Sequence, residues 1–270
     1  MKKNHFKQMF AGLVVGAAFG YAGFKAGSAL FSPIHLDTAA EKITGGVLVV
    51  FALWFALAVH ELAHLCAGLW QGFRFHLFIV GFLGIRRRPD TDTIEAYLNT
   101  DPQLFGGVAA TMPVQEYPDL TKRFARVVIA GPLGSLALCF VAGISGWALL
   151  NAGGLAGRYL ALFLLTAAAA SLMFFLATTV PGRTGMFFTD RARFFRLIAG
   201  GKTADIERAM LELVAYTQAG KPLEQLNMAN VELVRQDPDY AVYADFYAFS
   251  HHLALGQEEQ ALAVAKRLEI

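Results

Sequence analysis

The chain contains, at residues 47–70, the stretch VLVVFALWFALAVHELAHLCAGLW. A helix needs about 20 apolar residues to cross a bilayer, so this stretch is long enough to do so. Near its end lie His60, Glu61 and His64, which form the pattern H-E-x-x-H. Placing a charged residue at the centre of a spanning helix costs roughly 2.5 to 3.5 kcal/mol on insertion scales. Ionisable residues in such a helix are therefore expected to have a function.

The spacing of the two histidines predicts a metal site. Residues four apart on a helix lie on one face, so both imidazoles can bind the same ion. Glu61 projects beside that ion, where it can accept a proton from a water molecule that zinc activates. In an alternative interpretation the three side chains form a satisfied polar cluster against another helix, for example with an arginine.

A catalytic zinc ion has three protein ligands and one open position, so a further residue must complete the site. Asp190 is the best-placed candidate because it follows the last apolar segment, in PGRTGMFFTDRARFF at residues 181–195. The proline and glycines of this stretch would end a helix and let the chain turn back towards the metal. Asp190 could instead be a solvated carboxylate paired with Arg193. The other candidates are His76, Asp92, Glu95, Asp101, Glu116, Asp119 and the pair His251–His252.

The composition indicates a membrane domain followed by a soluble one. Charged residues make up 16% of the chain, whereas an ordinary soluble domain has about 25%. The deficit lies before about residue 180, where four segments are long and apolar enough to span. These segments cover approximately residues 8–31, 44–70, 124–150 and 157–180. We therefore predict a transmembrane domain at residues 1–198 and a cytoplasmic helical domain at residues 199–270.

Basic residues predict the orientation of the spans. Lysines and arginines accumulate on the cytoplasmic side of a membrane protein. The basic clusters are Lys2, Lys3 and Lys7, then Arg86, Arg87 and Arg88, then Lys122, Arg123 and Arg126, and finally Arg183, Arg191, Arg193 and Arg196. We expect an integral, multi-pass protein of a bacterial inner (plasma) membrane with both termini cytoplasmic. No nucleic-acid partner is expected, since the net charge is only +2 and no basic run alternates with aromatic residues.

Two segments between the predicted spans differ in character. Residues 73–88, FRFHLFIVGFLGIRRR, are apolar but too short to span, and they alternate weakly with a period of two. They predict a short β-hairpin or re-entrant element at the cytoplasmic side. Residues 89–122 are polar and rich in proline and glycine, which predicts a loop with little regular structure.

The last part of the chain predicts four helices, at about residues 203–219, 222–236, 239–255 and 257–269. Gly220 and the following KPLEQL align with Gly256 and the following QEEQAL, 36 residues later. This faint repeat resembles the tetratricopeptide pattern, and an unrelated four-helix unit is the alternative. The predicted fold class is thus an all-α membrane protein with about four transmembrane helices, a small β-hairpin or re-entrant element, and a C-terminal soluble helical (tetratricopeptide-like) domain.

Over roughly residues 44–196 the chain resembles the site-2 protease family of intramembrane zinc metalloproteases. HELAH at residues 60–64 matches the family's first motif. GPLGS at residues 131–135 resembles a glycine-containing motif that opens a core span, and PGRTGMFFTD at residues 181–190 resembles the segment that ends in an aspartate ligand. Many members have glycine where Arg191 follows the aspartate, and asparagine where Ser135 stands.

The resemblance implies a role for each matching residue. The zinc ligands would be His60, His64 and Asp190. Glu61 would be the general base, and Ser135 or the backbone near Gly131 would orient the substrate.

Three functions are compatible with these features. The first is zinc-dependent cleavage of a membrane-protein or peptide substrate near the cytoplasmic face, with an extended substrate pairing along a strand edge in residues 73–88. The C-terminal helices would then recruit the substrate or a protein partner. The second is a pseudo-protease that binds client helices without cutting, which Arg191 and Ser135 favour. A transporter ranks last because Glu61 is the only carboxylate deep in a predicted span.

Overall fold

The structure, a computed structural model, describes residues 25, 31–88, 91–115, 117–150, 154–180, 182–184 and 187–268. Three of the described helices are long and apolar enough to cross a membrane: α1 (Ala39–Trp70), α2 (Leu120–Leu149) and α3 (Leu155–Thr179). They correspond to the second, third and fourth predicted spans. The first predicted span, residues 8–31, lies outside the described residues except for Lys25 and Phe31.

The three long helices pack through small residues and turn their large apolar side chains outward. Ala52, Ala56 and Ala161 are fully buried between helices, whereas Phe140 and Trp147 on α2 are 60% and 65% exposed. Small residues at contacts and bulky apolar residues outside are typical of helices packed in lipid. In water such a surface would be an extensive exposed hydrophobic patch.

A four-stranded antiparallel sheet follows α1. Its strands are β1 (Arg74–Val80), β2 (Leu83–Arg87), β3 (Ile94–Leu98) and β4 (Val108–Met112), in the order β3-β2-β1-β4. The hairpin predicted within residues 73–88 is confirmed as β1 and β2.

The loop predicted at residues 89–122 is wrong, because this segment supplies β3 and β4 and the start of α2. The side chains of β3 alternate between exposed and half-buried positions. Glu95 on β3 lies opposite Arg86 on β2 and accepts a hydrogen bond of 2.7 Å from its Nε. Such opposite-charge pairs across strands stabilise a sheet, and neighbouring prolines and glycines concealed this signal in the sequence.

The sheet order also shows that the strand edge predicted in residues 73–88 is wrong. Both β1 and β2 lie in the interior of the sheet, each paired on both sides. Residues 73–88 therefore present no edge to a substrate. Within the part of the chain that the structure describes, the edge strands are β3 and β4.

The β1–β2 turn lies alongside the middle of α1. The Trp54 indole Nε1 donates a hydrogen bond of 2.9 Å to the carbonyl of Val80, the last residue of β1. Trp54 precedes His60 by six residues, so the hairpin runs back along α1 past the level of the histidines. Phe82 in the turn is 61% exposed. The re-entrant form of the prediction stays a prediction.

Among the residues that the structure describes after α3 are a short hairpin and five α-helices. The hairpin pairs β5 (Arg183–Thr184) with β6 (Phe187–Phe188). The helices are α4 (Asp190–Ile198), α5 (Gly201–Gln218), α6 (Met228–Arg235), α7 (Ala241–Ala254) and α8 (Glu258–Leu268). The four helices predicted after residue 203 are therefore present as α5 to α8.

Helices α5 to α8 share one hydrophobic core, in which Leu213, Val231 and Ala244 are almost fully buried. Gly220 and Gly256 follow helices with φ of 65° and 69°, a left-handed conformation that glycine adopts readily. The tetratricopeptide classification and the domain boundary at residue 198 stay predictions.

Candidate metal centre

His60 and His64 lie on the face of α1 that packs against α2. Their ring centroids are 4.9 Å apart and their planes are nearly perpendicular. His60 is only 5% exposed. The helical spacing predicted from HELAH thus brings both imidazole rings to the same side of α1, next to each other and facing α2.

Helix α2 holds the Nδ1 atom of each ring. Nδ1 of His64 lies 2.8 Å from the backbone carbonyl of Val127, and Nδ1 of His60 lies 2.9 Å from the Ser135 hydroxyl. A carbonyl oxygen only accepts hydrogen bonds, so Nδ1 of His64 carries the proton and its Nε2 presents a lone pair. Partners of this kind fix the tautomer and the direction of metal-binding histidines.

Gly131 gives the His64 ring the room it needs. A Cβ atom at position 131 would lie 2.1 Å from Nε2 of His64, far inside van der Waals contact. Ser135 is fully buried one turn further along α2. Both residues that the family resemblance singled out on α2 therefore contact the histidines, and their role in orienting a substrate stays a prediction.

Asp190 is the first residue of α4, and the chain returns it to the two histidines. The β5–β6 hairpin reverses the chain after α3, and Thr189 closes the turn through its hydroxyl, which donates a hydrogen bond of 2.9 Å to the Val180 carbonyl. Oδ2 of Asp190 lies 3.3 Å from Nε2 of His60 and 3.5 Å from Nε2 of His64.

Arg191 does not disturb this arrangement. It belongs to the first turn of α4, so the left-handed conformation that a glycine would permit is not required there. Its guanidinium donates a hydrogen bond of 3.2 Å to the Thr179 carbonyl at the end of α3, which directs it away from the Asp190 carboxylate.

The two distances from Asp190 fit a tetrahedral zinc site. Zinc at about 2.0 to 2.1 Å from each ligand atom separates neighbouring ligands by roughly 3.3 Å, close to the two distances from Asp190. Oδ2 of Asp190 is buried and makes no hydrogen bond. Burial raises the pKa of Asp190, whereas protonated imidazoles at His60 and His64 would outweigh it and lower that pKa to about 2. A metal cation in place of their protons would likewise favour the ionised carboxylate, the form that a ligand must have. A carboxylate oxygen that is buried without a hydrogen bond beside two imidazole nitrogens fits a bound cation.

Glu61 lies beside the cluster and is only 8% exposed. Its carboxylate approaches Gly107, the residue before β4, so that a Cβ atom added there would lie 2.7 Å from Oε1. Gly107 has φ of 92°, a conformation suited to glycine. The sequence analysis missed Gly107, although the Gly106–Gly107 pair was a visible signal. It also missed the Val127 carbonyl, for which a sequence carries no signal.

The other candidate ligands do not join this cluster. Among the described residues, His60, His64 and Asp190 form the group whose ligand atoms all lie within 4.8 Å of one another. Most of the remaining candidates have partners of their own: Asp92 pairs with Arg74, Glu95 with Arg86, Asp119 with Arg123, Asp101 with the backbone of Gln103, His251 with that of Leu223, and His252 with Gln257. His76 lies on β1, and Glu116 lies outside the described residues.

Comparison with known proteins identifies the family of the chain. The sequence model of Peptidase family M50 matches residues 48–260, which is more than half of the chain. No curated protein and no solved structure matches it. The matched region contains the two histidines, Glu61 and Asp190, and the predicted resemblance to site-2 proteases is confirmed at the level of the family. The chain therefore belongs to Peptidase family M50, whose members are membrane-embedded metallopeptidases.

Proposed function

We propose that this protein is a zinc-dependent intramembrane endopeptidase that hydrolyses peptide bonds of membrane-associated substrates near the cytoplasmic face. The observation that carries the proposal is the convergence of His60, His64 and Asp190, with Oδ2 of Asp190 at ligand-to-ligand distances suited to zinc from Nε2 of both histidines. Glu61, the residue after the first ligand, supplies the base that such a reaction needs.

His60, His64 and Asp190 would hold the ion, whose chemistry when bound is Lewis-acid polarisation of the scissile carbonyl and activation of water near neutral pH. Glu61 accepts a proton from the water that attacks the carbonyl carbon. It then delivers that proton to the leaving nitrogen as the carbon–nitrogen bond breaks. The burial of Glu61 keeps its carboxylate away from bulk solvent.

The substrate must present an extended backbone, because the amides of a helix are already hydrogen-bonded. The outer edge of β4 is better placed to receive it than residues 73–88. Strand β4 begins immediately after Gly107, which contacts Glu61. A substrate strand added there would run past the carboxylate, a form of β-addition.

The basic residues support a cytoplasmic position for this end of the molecule. Arg123 and Arg126, in the first two turns of α2, donate hydrogen bonds to the backbone and side chain of Gln71 at the end of α1. This cationic end is also where the C-terminal helices lie. We place it in the cytoplasm of a bacterial cell, with both termini on that side of the inner membrane. The C-terminal helices would bind the substrate or a regulatory protein.

Cleavage by wild type and by Glu61→Gln tests the proposal. Both proteins are purified in detergent, their zinc content per chain is measured, and each is mixed with a labelled single-span peptide whose span is interrupted by Gly-Pro. Both should bind zinc, whereas Glu61→Gln should cleave about 10²- to 10⁴-fold more slowly, the usual contribution of a general base. A peptide with an uninterrupted Leu-Ala span is the control and should be cleaved more slowly by wild type. Zinc binding without Glu61-dependent cleavage would instead support the pseudo-protease.

A further inference from the structure

Glu207 on α5 is a carboxylate with no exposed surface. Its position is notable because a buried charge is unfavourable unless it is paired and hydrogen-bonded. Glu207 accepts hydrogen bonds from the Nε atom of Arg196 and from the Tyr240 hydroxyl, the latter at 2.9 Å. The Nε atom of Arg193 lies 3.6 Å from its second oxygen. Burial raises the pKa of Tyr240, so this hydroxyl remains a donor at neutral pH.

Both arginines belong to α4, the helix that begins with Asp190. Arg193 and Arg196 follow Asp190 by three and six residues, which is less than two helical turns. Arg196 also forms an ion pair with Asp237, in the turn between α6 and α7. Its guanidinium lies over the ring of Phe188, 4.5 Å from the centroid. The C-terminal helices therefore hold the short helix that carries Asp190 through ion pairs.

The same face of α4 also packs against α2. The Arg193 guanidinium lies 4.8 Å from the centroid of the Phe124 ring. Leu197 is 2% exposed and belongs to a hydrophobic cluster that includes Leu120 and Val128 of α2 and Leu211 of α5. The neighbouring Val127 carbonyl holds His64. One face of α4 thus contacts both the segment of α2 that orients His64 and the C-terminal helices.

We propose that Glu207 is a positioning residue for the metal site: through Arg193 and Arg196 it fixes α4, so that the C-terminal helices set the place of Asp190 and thereby the affinity for zinc. The inference rests on the proposed function, because it takes Asp190 as a zinc ligand. It goes beyond that function by giving the C-terminal helices a part in assembling the site. Anything that moves Glu207 relative to α2 would weaken metal binding.

The first test compares the zinc dissociation constants of full-length variants, measured by competition with a chelator. Glu207→Gln keeps the size of the side chain but removes the charge, and it should weaken zinc binding about 10-fold to 100-fold, the range found for groups that orient metal ligands. Asp245→Asn is the matched control, because the partners that Asp245 has among the described residues, Arg235 and Arg267, belong to α6 and α8 and not to α4. Equal dissociation constants for the two variants would overturn the proposal.

A double variant separates positioning from general loss of structure. If Glu207 acts through Asp190, Glu207→Gln should have no further effect on zinc affinity in an Asp190→Ala background, since contributions that share one partner are not additive. Additive losses would show that Glu207 acts elsewhere and would refute the inference. Full zinc affinity of Asp190→Ala alone would instead overturn the ligand set of the proposed function.

Hydrogen exchange of the wild-type protein decides the case if Glu207→Gln does not fold. Coupling between two sites is reciprocal, so zinc should slow amide exchange in the turn at residues 236–240, which carries Asp237 and Tyr240. His60→Ala should abolish this protection. Zinc bound to the wild type with unchanged exchange in that turn would contradict the proposal.

Discussion

His60 and His64 stand on one 32-residue helix, whereas Asp190 begins a nine-residue helix 126 residues after His64. The relative position of the two histidines follows from helical periodicity, and α2 only has to orient their rings. Asp190 reaches the same place through a hairpin, a turn and contacts with the C-terminal helices. One side of the site is thus built locally and the other by tertiary structure, and substitutions on the two sides should differ in effect.

Removing a ligand should have the largest effect. His64→Ala leaves one histidine and one aspartate on separate elements, whereas Asp190→Ala leaves two histidines already aligned on α1. We expect both variants to lose more than about 100-fold in zinc affinity, since groups that only orient ligands already contribute 10-fold to 100-fold. The loss should be greater for His64→Ala. Chelator competition measures it, with His76→Ala on β1 as a control that should bind zinc normally. Stronger zinc binding by His64→Ala than by Asp190→Ala would contradict the conclusion that α1 by itself sets the relative position of the two histidines.

Gly131→Ala tests the orientation of the His64 ring without removing a ligand. The new methyl group would lie 2.1 Å from Nε2, so the ring must move and its lone pair with it. We expect zinc affinity to fall about 100-fold, the upper end for an orienting group. Overpacking should also cost about 1 to 3 kcal/mol of stability.

Gly143→Ala is the matched control for Gly131→Ala. It lies on the same helix, where a Cβ atom would make an ordinary contact of 3.7 Å with Ala168. Helix propensity predicts that this variant is at least as stable as the wild type. Normal zinc binding by Gly131→Ala would show that the ring has room that the structure does not indicate.

Gly107→Ala tests the position of the base. A methyl group there would lie 2.7 Å from Oε1 of Glu61, and φ of 92° is unfavourable for alanine. The carboxylate should move by a fraction of an ångström to an ångström, which can reduce the catalytic rate about 10-fold to 100-fold. Zinc content should not change, because the three atoms nearest to a Cβ atom at position 107 all belong to Glu61 and none to a ligand.

Gly106→Ala provides the comparison at the next position, since no atom lies within 4 Å of a Cβ atom there. Its cleavage rate with the interrupted single-span peptide should equal that of the wild type. If the two alanine variants cleave at the same rate, the contact between Gly107 and Glu61 has no part in catalysis.

The local side of the site could be predicted from sequence, and so could most of the helices. HELAH fixes the spacing of the two rings, and the apolar runs predicted helices from about residues 44, 124 and 157, where the structure has them from Ala39, Leu120 and Leu155. Asp190 was identified because it follows the last span closely. Each of these inferences uses residues close together in the chain.

The remainder depends on partners that are distant in sequence. Strands β3 and β4 form because they pair with β2 and β1, although their flanking prolines and glycines are typical of loops. Glu207 resembles an ordinary surface glutamate of an amphipathic helix until Arg196 and Tyr240 are placed beside it. The Val127 carbonyl belongs to the backbone, which every residue has, so the identity of this residue could not reveal its contact with His64.

Ser135→Ala should have the smallest effect, and it separates two roles for this hydroxyl. If Ser135 orients His60, the variant should lose about 10-fold in zinc affinity, the lower end for an orienting group, because α1 still holds the ring close to its place. If Ser135 orients the substrate, zinc affinity should remain normal and the KM or kcat for the interrupted peptide should change. Ser171→Ala on α3 is the matched control, since its hydroxyl is equally buried and has no hydrogen-bond partner. The 2.9 Å contact with Nδ1 of His60 favours the first outcome, and a normal zinc affinity would assign the hydroxyl to the substrate.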